Sequence, residues 1–234
     1  MSPGRRRALG FAIAIVALGG LAFTQVRERG AARERPTLLL LTSLPLMFGE
    51  DFSLQGGGSP ALKALQERYQ VVAISVTSPT ELAKGSLLLM AQPQAQPPED
   101  LVALDDWVRA GGRVLLLADP LLEWPSTRPL GDRLRPPVMF ADTGLLAHWG
   151  LRLDAPDAPG AQTALIGGQQ VQTVSPGRLF GSCAIGADRI VAHCRVGQGK
   201  ATVVADADFL DVERLGPAAS HNLGGLIGEL DPLK

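Results

Sequence analysis

The order of strand-like and helical segments constrains the fold of this 234-residue chain most strongly. Four runs have the length and the apolar or β-branched composition of buried strands, at residues 36–42, 70–76, 86–91 and 113–118. Apolar residues at helical spacing predict one helix over residues 61–69 and another over residues 99–110. Strands that alternate with helices are typical of a parallel sheet with helices on its faces. The sequence therefore predicts an α/β fold.

The second half of the chain has a different pattern. Three further β-like runs occur at residues 178–184, 189–195 and 200–205. The turn Gly197-Gln198-Gly199 joins the last two runs, and such a turn is typical of a hairpin. We therefore expect an antiparallel extension of the sheet near the C-terminus. Short strand-like pieces are predicted between residues 151 and 174, and helices over residues 143–149, 209–215 and 221–230.

Residues 8–26 form an uncharged, apolar segment near the N-terminus. As a helix they would be about 28 Å long, close to the roughly 30 Å hydrocarbon core of a bilayer. This length predicts one transmembrane helix. The alternative is a signal peptide cleaved after Ala22, because Gly20-Leu21-Ala22 has the small-x-small pattern of a cleavage site.

The predicted transmembrane helix divides the chain into four parts. They are a basic N-terminal tail at residues 1–7, the helix or signal peptide at 8–26, a linker at 27–35 and an α/β domain at 36–234. Arginines flank the apolar segment on both sides in similar number, so the charge distribution does not determine its orientation.

Composition argues against nucleic acid as a partner. The formal net charge is −1, and the chain contains only one Tyr, three Trp and seven Phe. Phosphate binding requires a basic surface, and base stacking requires aromatic side chains. No nucleic-acid partner is therefore expected. No cofactor or metal is expected either, because the histidines do not have ligand spacing and Gly56-Gly57-Gly58 lacks the Lys-Ser/Thr of a P-loop.

The two cysteines, Cys183 and Cys194, lie on either side of a turn signal at Gly186-Ala187-Asp188. A hairpin closed at this turn would place them opposite each other, within the range of a disulfide. A disulfide is expected outside the cytosol. The alternative is a pair of reduced, half-buried thiols.

Three carboxylates follow predicted strands and are candidate ligand-binding or partner-binding groups. Asp119 follows the strand 113–118, at the end of a parallel strand where open α/β sheets bind ligands. Asp206 and Asp208 follow the strand 200–205, and paired carboxylates can bind a cation or act as acid and base. The alternative is structural: Asp119 would end its strand beside Pro120, and Asp208 would cap the helix that begins at Phe209.

Three stretches carry a resemblance to a known family. They read LVALDDWVRAGGRVLLLADP at residues 101–120, TGLLAHWGL at 143–151 and GQGKATVVADADFL at 197–210. They resemble the GldG-type auxiliary proteins of ABC transporters and the related amidotransferase-like domains. Asn222 matches an Asn that often opens the last helix in this family. The resemblance implies a flavodoxin-like or class I glutamine amidotransferase-like parallel sheet.

The same resemblance implies a function without catalysis. Catalytic amidotransferase domains have a nucleophilic Cys just after the strand that follows Gly-Gly, and this chain has Ala118-Asp119-Pro120 there. We therefore expect a non-enzymatic, single-pass component of the inner (plasma) membrane, with a periplasmic domain that contacts an ABC permease or ATPase. The expected contact surface is the sheet edge near Asp119 together with the loop 121–137. The alternatives are a solute-binding or hydrolytic domain that uses the three carboxylates, and a scaffold without a small-molecule ligand.

Overall fold

The structure, a computed structural model, describes residues 35–48 and 58–233. The predicted transmembrane segment 8–26, the tail before it and Gly56-Gly57 lie outside the described residues. Pro36–Lys234 forms one compact unit. No helix within the described part of the chain has the length and apolar character needed to cross a bilayer.

Eleven strands and six α-helices are described within residues 35–48 and 58–233. The strands are β1 Thr37–Thr42, β2 Gln70–Ala73, β3 Leu87–Ala91, β4 Arg113–Leu117, β5 Leu151–Asp154, β6 Ala161–Ile166, β7 Gln169–Val174, β8 Arg178–Gly181, β9 Ala184–Ile185, β10 Val191–Val196 and β11 Gly199–Val204. The helices are α1 Pro60–Arg68, α2 Pro79–Leu82, α3 Pro98–Arg109, α4 Leu145–His148, α5 Val212–Leu215 and α6 Asn222–Leu230. Short 3-10 turns cover Asp208–Leu210, Gly216–Ala219 and Asp231–Leu233.

The main sheet has seven strands in the order β2-β1-β3-β4-β11-β10-β9. The first five strands are parallel, and β10 and β9 continue the sheet with antiparallel pairing. This arrangement confirms an α/β fold with a mostly parallel sheet and antiparallel strands. The predicted hairpin around Gly197-Gln198-Gly199 is confirmed, because β10 and β11 pair in antiparallel register. In addition, β11 pairs in parallel with β4. The chain reverses direction at Gly197 after β10, and therefore β11 runs in the same direction as β4.

Several local predictions differ from the structure. The second strand ends at Ala73 and not at residue 76. Thr77 Oγ1 donates to Asp100 O and Thr77 N donates to Gln96 Oε1, and these hydrogen bonds turn the chain away from the sheet. The short helix α2, which the sequence did not predict, follows this turn. The run 178–184 is divided into β8, which pairs with β5, and β9, which pairs with β10. Residues 161–174 form a regular hairpin, β6–β7, in place of short pieces.

Alternate residues of the strands pack on opposite faces of the sheet. Leu38 and Leu40 belong to a core covered by α1 and α6. Leu39 and Leu41 belong to a second core, which α2, α3 and α4 cover. Because both faces are buried there, the central strands β1, β3 and β4 are nearly continuous apolar runs without polar alternation.

Candidate functional site

The carboxyl ends of β4 and β11 bring the three predicted carboxylates together. These strands are parallel neighbours, with Leu117 paired with Val204, so that Asp119 and Asp206 follow them at the same edge of the sheet. Asp208 comes two residues after Asp206. All three side chains are fully buried, with 0% exposure. None of them is therefore accessible to a ligand in this structure, and direct ligand binding by these groups stays a prediction.

Backbone N–H groups occupy the oxygens of Asp119 and Asp206. Asp119 Oδ1 accepts from Leu121 N at 2.8 Å, and Asp119 Oδ2 accepts from Ala207 N at 2.9 Å. Asp206 accepts from Val174 N and Phe209 N, at 2.9 and 2.8 Å. The two side chains therefore join the ends of β4, β7 and β11 and fix the direction in which the chain leaves each strand.

Asp208 has a different role from the helix cap that the sequence predicts. Asp206 caps Phe209 N, and only a 3-10 turn follows, so the predicted helix 209–215 is shortened to α5. Asp208 Oδ2 instead accepts from Glu123 N at 2.6 Å, and Asp208 Oδ1 pairs with Arg214 Nη2 at 2.9 Å. Asp208 thus holds the start of the loop that follows β4.

Burial dominates the electrostatics of this cluster. Desolvation raises the pKa of Asp119 to about 7, although the N–H groups of Ala207 and Leu121 oppose the shift. Burial also raises the pKa of Asp206, and the neighbouring charge of Asp119 adds to the effect. Burial raises the pKa of Asp208 to about 6, against the hydrogen bond from Glu123 N and the charge of Arg214. A proton is therefore retained in this cluster at pH values where exposed carboxylates are ionised.

Gln92 is a member of the site that sequence reasoning missed. Its side chain is fully buried, and its backbone has a positive φ of 43°. Gln92 Oε1 accepts from Asp119 N, while Nε2 donates to Asp119 O and Pro137 O. The available signal was its position, since it is the first polar residue after the buried strand β3.

Asn222 is a second buried polar residue that joins distant segments near the cluster. Its amide donates to Gln172 O and Phe209 O, and its Oδ1 accepts from Gln172 N at 2.9 Å. Asn222 therefore ties the start of α6 to β7 and to the turn after Asp208. The family resemblance drew attention to Asn222, but not to these contacts.

The polar cluster supports a loop, residues 121–142, that exposes several large apolar side chains. Leu122 N donates to Val138 O at 2.9 Å, and Phe140 N donates to Asp119 O at 2.7 Å, which closes the loop at its base. Five of the exposed large apolar side chains belong to this loop: Leu121, Leu130, Leu134, Val138 and Met139. The predicted contact loop, residues 121–137, is the first part of this longer loop. It follows a strand in the middle of the sheet, since β4 lies between β3 and β11.

The remaining candidate groups lie elsewhere. Cys183 lies just before β9, and Cys194 lies on β10. They form a disulfide with a Cα–Cα distance of 4.8 Å. His193 Nε2 lies 2.8 Å from Glu229 Oε2, and His148 Nε2 lies 3.1 Å from Asp105 Oδ2. Within residues 35–48 and 58–233, no group of three His, Cys, Asp or Glu side chains is placed to hold a metal ion.

The fold and the buried cluster define an α/β domain in which buried polar groups hold strand ends and loops together. A family model described as "ABC-type uncharacterized transport system" matches residues 35–177, more than half of the chain. The chain belongs to this family, which confirms the resemblance to ABC-transporter auxiliary proteins. No curated protein sequence matches it significantly.

Solved structures share the fold at low sequence identity. The cytoplasmic protein STM1381 from Salmonella typhimurium LT2 has a TM-score of 0.54 and 13% identity over 85% of this chain and 99% of its own. The cytoplasmic protein STM3548 from Salmonella typhimurium has a TM-score of 0.52 and 10% identity, covering 84% and 98%. The exo-β-1,4-mannosidase Op5Man5 from Opitutaceae bacterium strain TAV5 has a TM-score of 0.52 and 15% identity over 91% of this chain, but only 38% of the mannosidase is covered. At these identities the likeness is one of fold alone.

Proposed function

We propose that this protein is a non-enzymatic, membrane-anchored auxiliary component of an ABC-type transport system. The family match over residues 35–177 carries the proposal. The length of the apolar segment 8–26 supports one membrane anchor. The buried carboxylates support a structural use of the polar groups, because their oxygens accept backbone N–H groups.

The proposal includes an amidotransferase-like fold without amidotransferase chemistry. The position of the nucleophile in such domains is filled here by Ala118-Asp119-Pro120. Asp119 is buried and faces two backbone donors, and both cysteines are joined in a disulfide. A nucleophile requires an accessible, activated atom beside a base, so these contacts support a binding role for the domain.

We propose further that the domain lies on the extracytoplasmic side of the inner membrane. The disulfide between Cys183 and Cys194 supports this location, since disulfides persist in oxidising compartments. The partner would be a permease or ATPase subunit of the transport system. Partner contact would use the loop 121–142, whose apolar side chains are exposed at the carboxyl end of the sheet.

Co-purification tests the proposed function. The tagged full-length chain is expressed in its native host and extracted in a mild detergent, with an unrelated single-pass protein as the control. We expect an ABC permease or its ATPase to be recovered with this chain and not with the control. Recovery of neither subunit contradicts the proposal. A ligand-induced melting shift that is lost in Asp119→Ala would instead support the solute-binding or hydrolytic alternative. If co-purification recovers no transporter subunit and no ligand shifts the melting temperature, the scaffold alternative remains.

A further inference from the structure

The segment 128–139 carries four of the eight exposed large apolar side chains in the described part of the chain. Leu130 is 78% exposed, Met139 60% and Leu134 58%, and Val138 lies beside them. Large apolar side chains that are exposed together on one segment mark an interaction site more often than isolated ones do. We call this segment the apolar loop.

The apolar loop forms a groove. Leu130, Val138 and Met139 line a cavity of about 450 Å³ together with Arg133 and Arg135. A concave surface of this volume fits side chains that project from a partner segment. A flat bilayer surface would contact the exposed rim but would leave the groove unfilled.

The charge of the apolar loop is positive. It contains Arg128, Arg133 and Arg135 against one acidic residue, Asp132. Asp132 Oδ2 lies 3.9 Å from Arg128 Nη1. Among the residues that the structure describes, no carboxylate forms an ion pair with Arg133 or Arg135. The Arg133 guanidinium beside the groove is thus available to a carboxylate of a partner, and guanidinium groups bind carboxylates in a bidentate manner. Arg135 donates through Nη1 to Arg128 O and has further N–H groups for a second carboxylate.

The loop is held in shape before any partner binds. Gln92 Nε2 and Gln94 Nε2 donate to Pro137 O and Arg135 O, at 3.0 and 3.2 Å. Arg135 Nη1 donates to Arg128 O and closes the loop on itself. A pre-ordered surface loses less conformational entropy on binding than a flexible one. The fixed loop therefore has the properties of a docking platform.

We propose that this groove binds an acidic, amphipathic segment of a partner protein. The apolar face of the segment fills the space between Leu130, Val138 and Met139, and its carboxylates pair with Arg133 and Arg135. This inference rests on the proposed function in that the partner belongs to the transport system. It adds the binding site and the chemistry of the segment that the site takes.

Site-specific photocrosslinking tests the inference. A photoreactive amino acid replaces Leu130 in the full-length chain in its native host, and the crosslinked peptide is sequenced by mass spectrometry. We expect a protein segment with alternating acidic and apolar residues. A second position at Met139 should yield the same segment. The matched control is Leu165 on β6, which is 56% exposed and lies outside the loop; it should not yield that segment.

Charge reversal tests the role of the arginines. Arg133→Glu should lower the crosslinking yield at Leu130 by about tenfold, because like charges at an interface repel. The matched control is Arg195→Glu, an exposed position on β10, which should leave the yield unchanged. A yield at Leu130 that is insensitive to Arg133→Glu overturns the charge assignment and with it the proposed chemistry.

Four outcomes at Leu130 overturn the inference: crosslinks to lipid only, to a second copy of this chain, to a neutral or basic segment, or to nothing. Failure here is distinguishable from failure of the proposed function. If the permease or ATPase is co-purified but the loop gives no crosslink, the proposed function stands and the groove is not the contact. If an acidic segment is crosslinked in a protein outside any transport system, the groove chemistry stands and the proposed function fails.

Discussion

At the scale of single residues, Asp119 shows how a buried carboxylate organises the end of a strand. Its two oxygens accept from Leu121 N and from Ala207 N, and Ala207 lies 88 residues after Asp119 in sequence. A carboxylate can accept several N–H groups at once, and no apolar side chain could replace it there without leaving buried donors unpaired. The cost is desolvation of the charge, which raises the pKa of Asp119 to about 7.

Asp119→Asn should therefore change how stability depends on pH. An unfolded Asp has a pKa near 3.9. Between about pH 4 and pH 7 the folded wild-type chain binds more protons than the unfolded chain, so its free energy of unfolding falls as pH rises, by roughly 2–4 kcal/mol for this group. The Asn variant cannot ionise and should lack this part of the decrease. Urea denaturation of the full-length chain in mild detergent, repeated from pH 4 to pH 8, measures the difference.

The control for this prediction is Asp157→Asn. Asp157 is exposed and pairs with Arg178, so the substitution makes the same change of charge at the surface. Profiles of the wild type and Asp119→Asn that run parallel over the whole range would show that Asp119 does not carry the pH dependence.

At the scale of elements, close backbone approach explains the composition of α6. This helix contains Gly224, Gly225 and Gly228, although glycine lowers helix stability. A Cβ on Gly228 would overlap the backbone of Gly167 in the β6–β7 hairpin, 2.8 Å from its Cα. A Cβ on Gly224 would meet only the Gln169 side chain, whose Cγ would lie 3.6 Å away. The glycines of one short helix therefore differ in purpose.

Two substitutions in α6 test this difference. Gly228→Ala should destabilise the protein by about 1–3 kcal/mol, because the hairpin has to move away from the helix. Gly224→Ala should stabilise it by about 0.5–1 kcal/mol, since alanine loses less backbone entropy on folding. Thermal unfolding followed by circular dichroism compares the two with the wild type. Equal effects of the two changes would contradict the packing of α6 on the hairpin.

At the scale of the whole molecule, the disulfide and the predicted membrane anchor both bear on the proposed topology. The register of β9 and β10, in which Ala184 pairs with His193, places Cys183 opposite Cys194 when it is continued by one residue. The disulfide closes the antiparallel end of the sheet. The disulfide supports the proposed extracytoplasmic side for the domain, because disulfides persist in oxidising compartments.

Labelling with a membrane-impermeant thiol reagent tests this topology. In spheroplasts we expect no labelling before reduction and labelling of the half-buried Cys183 after treatment with an impermeant reductant. The variant Cys183→Ser, Cys194→Ser serves as the control and should stay unlabelled throughout. Labelling that requires lysis of the spheroplasts would place the domain in the cytosol, and labelling without reduction would contradict the disulfide.

The main elements of the fold and the position of Asp119 in the site are predictable from the sequence. Burial on both faces makes β1, β3 and β4 nearly continuous apolar runs. The helical spacing of apolar residues in α1 and α3 is also a local pattern. These elements can therefore be predicted without knowing which segments they contact. The position of Asp119 at the carboxyl end of β4 can be predicted for the same reason. The predicted transmembrane segment 8–26 also follows from local composition, and it stays a prediction because it lies outside the described residues.

Only the tertiary structure decided which of these pieces meet. The direction of β11 depends on the choice of β4 as its neighbour, and that pairing brings Asp206 and Asp208 to Asp119. Gln92 is an isolated polar residue in the sequence. Its side chain joins Asp119 to Pro137 only because the fold brings the loop 121–142 next to the end of β3. Hydrophobic periodicity reports burial along the chain, whereas hydrogen bonds between distant segments depend on contacts that no local pattern encodes. The sequence by itself therefore determined an α/β domain of a transport-system family, and the folded chain determined its buried cluster and its apolar loop.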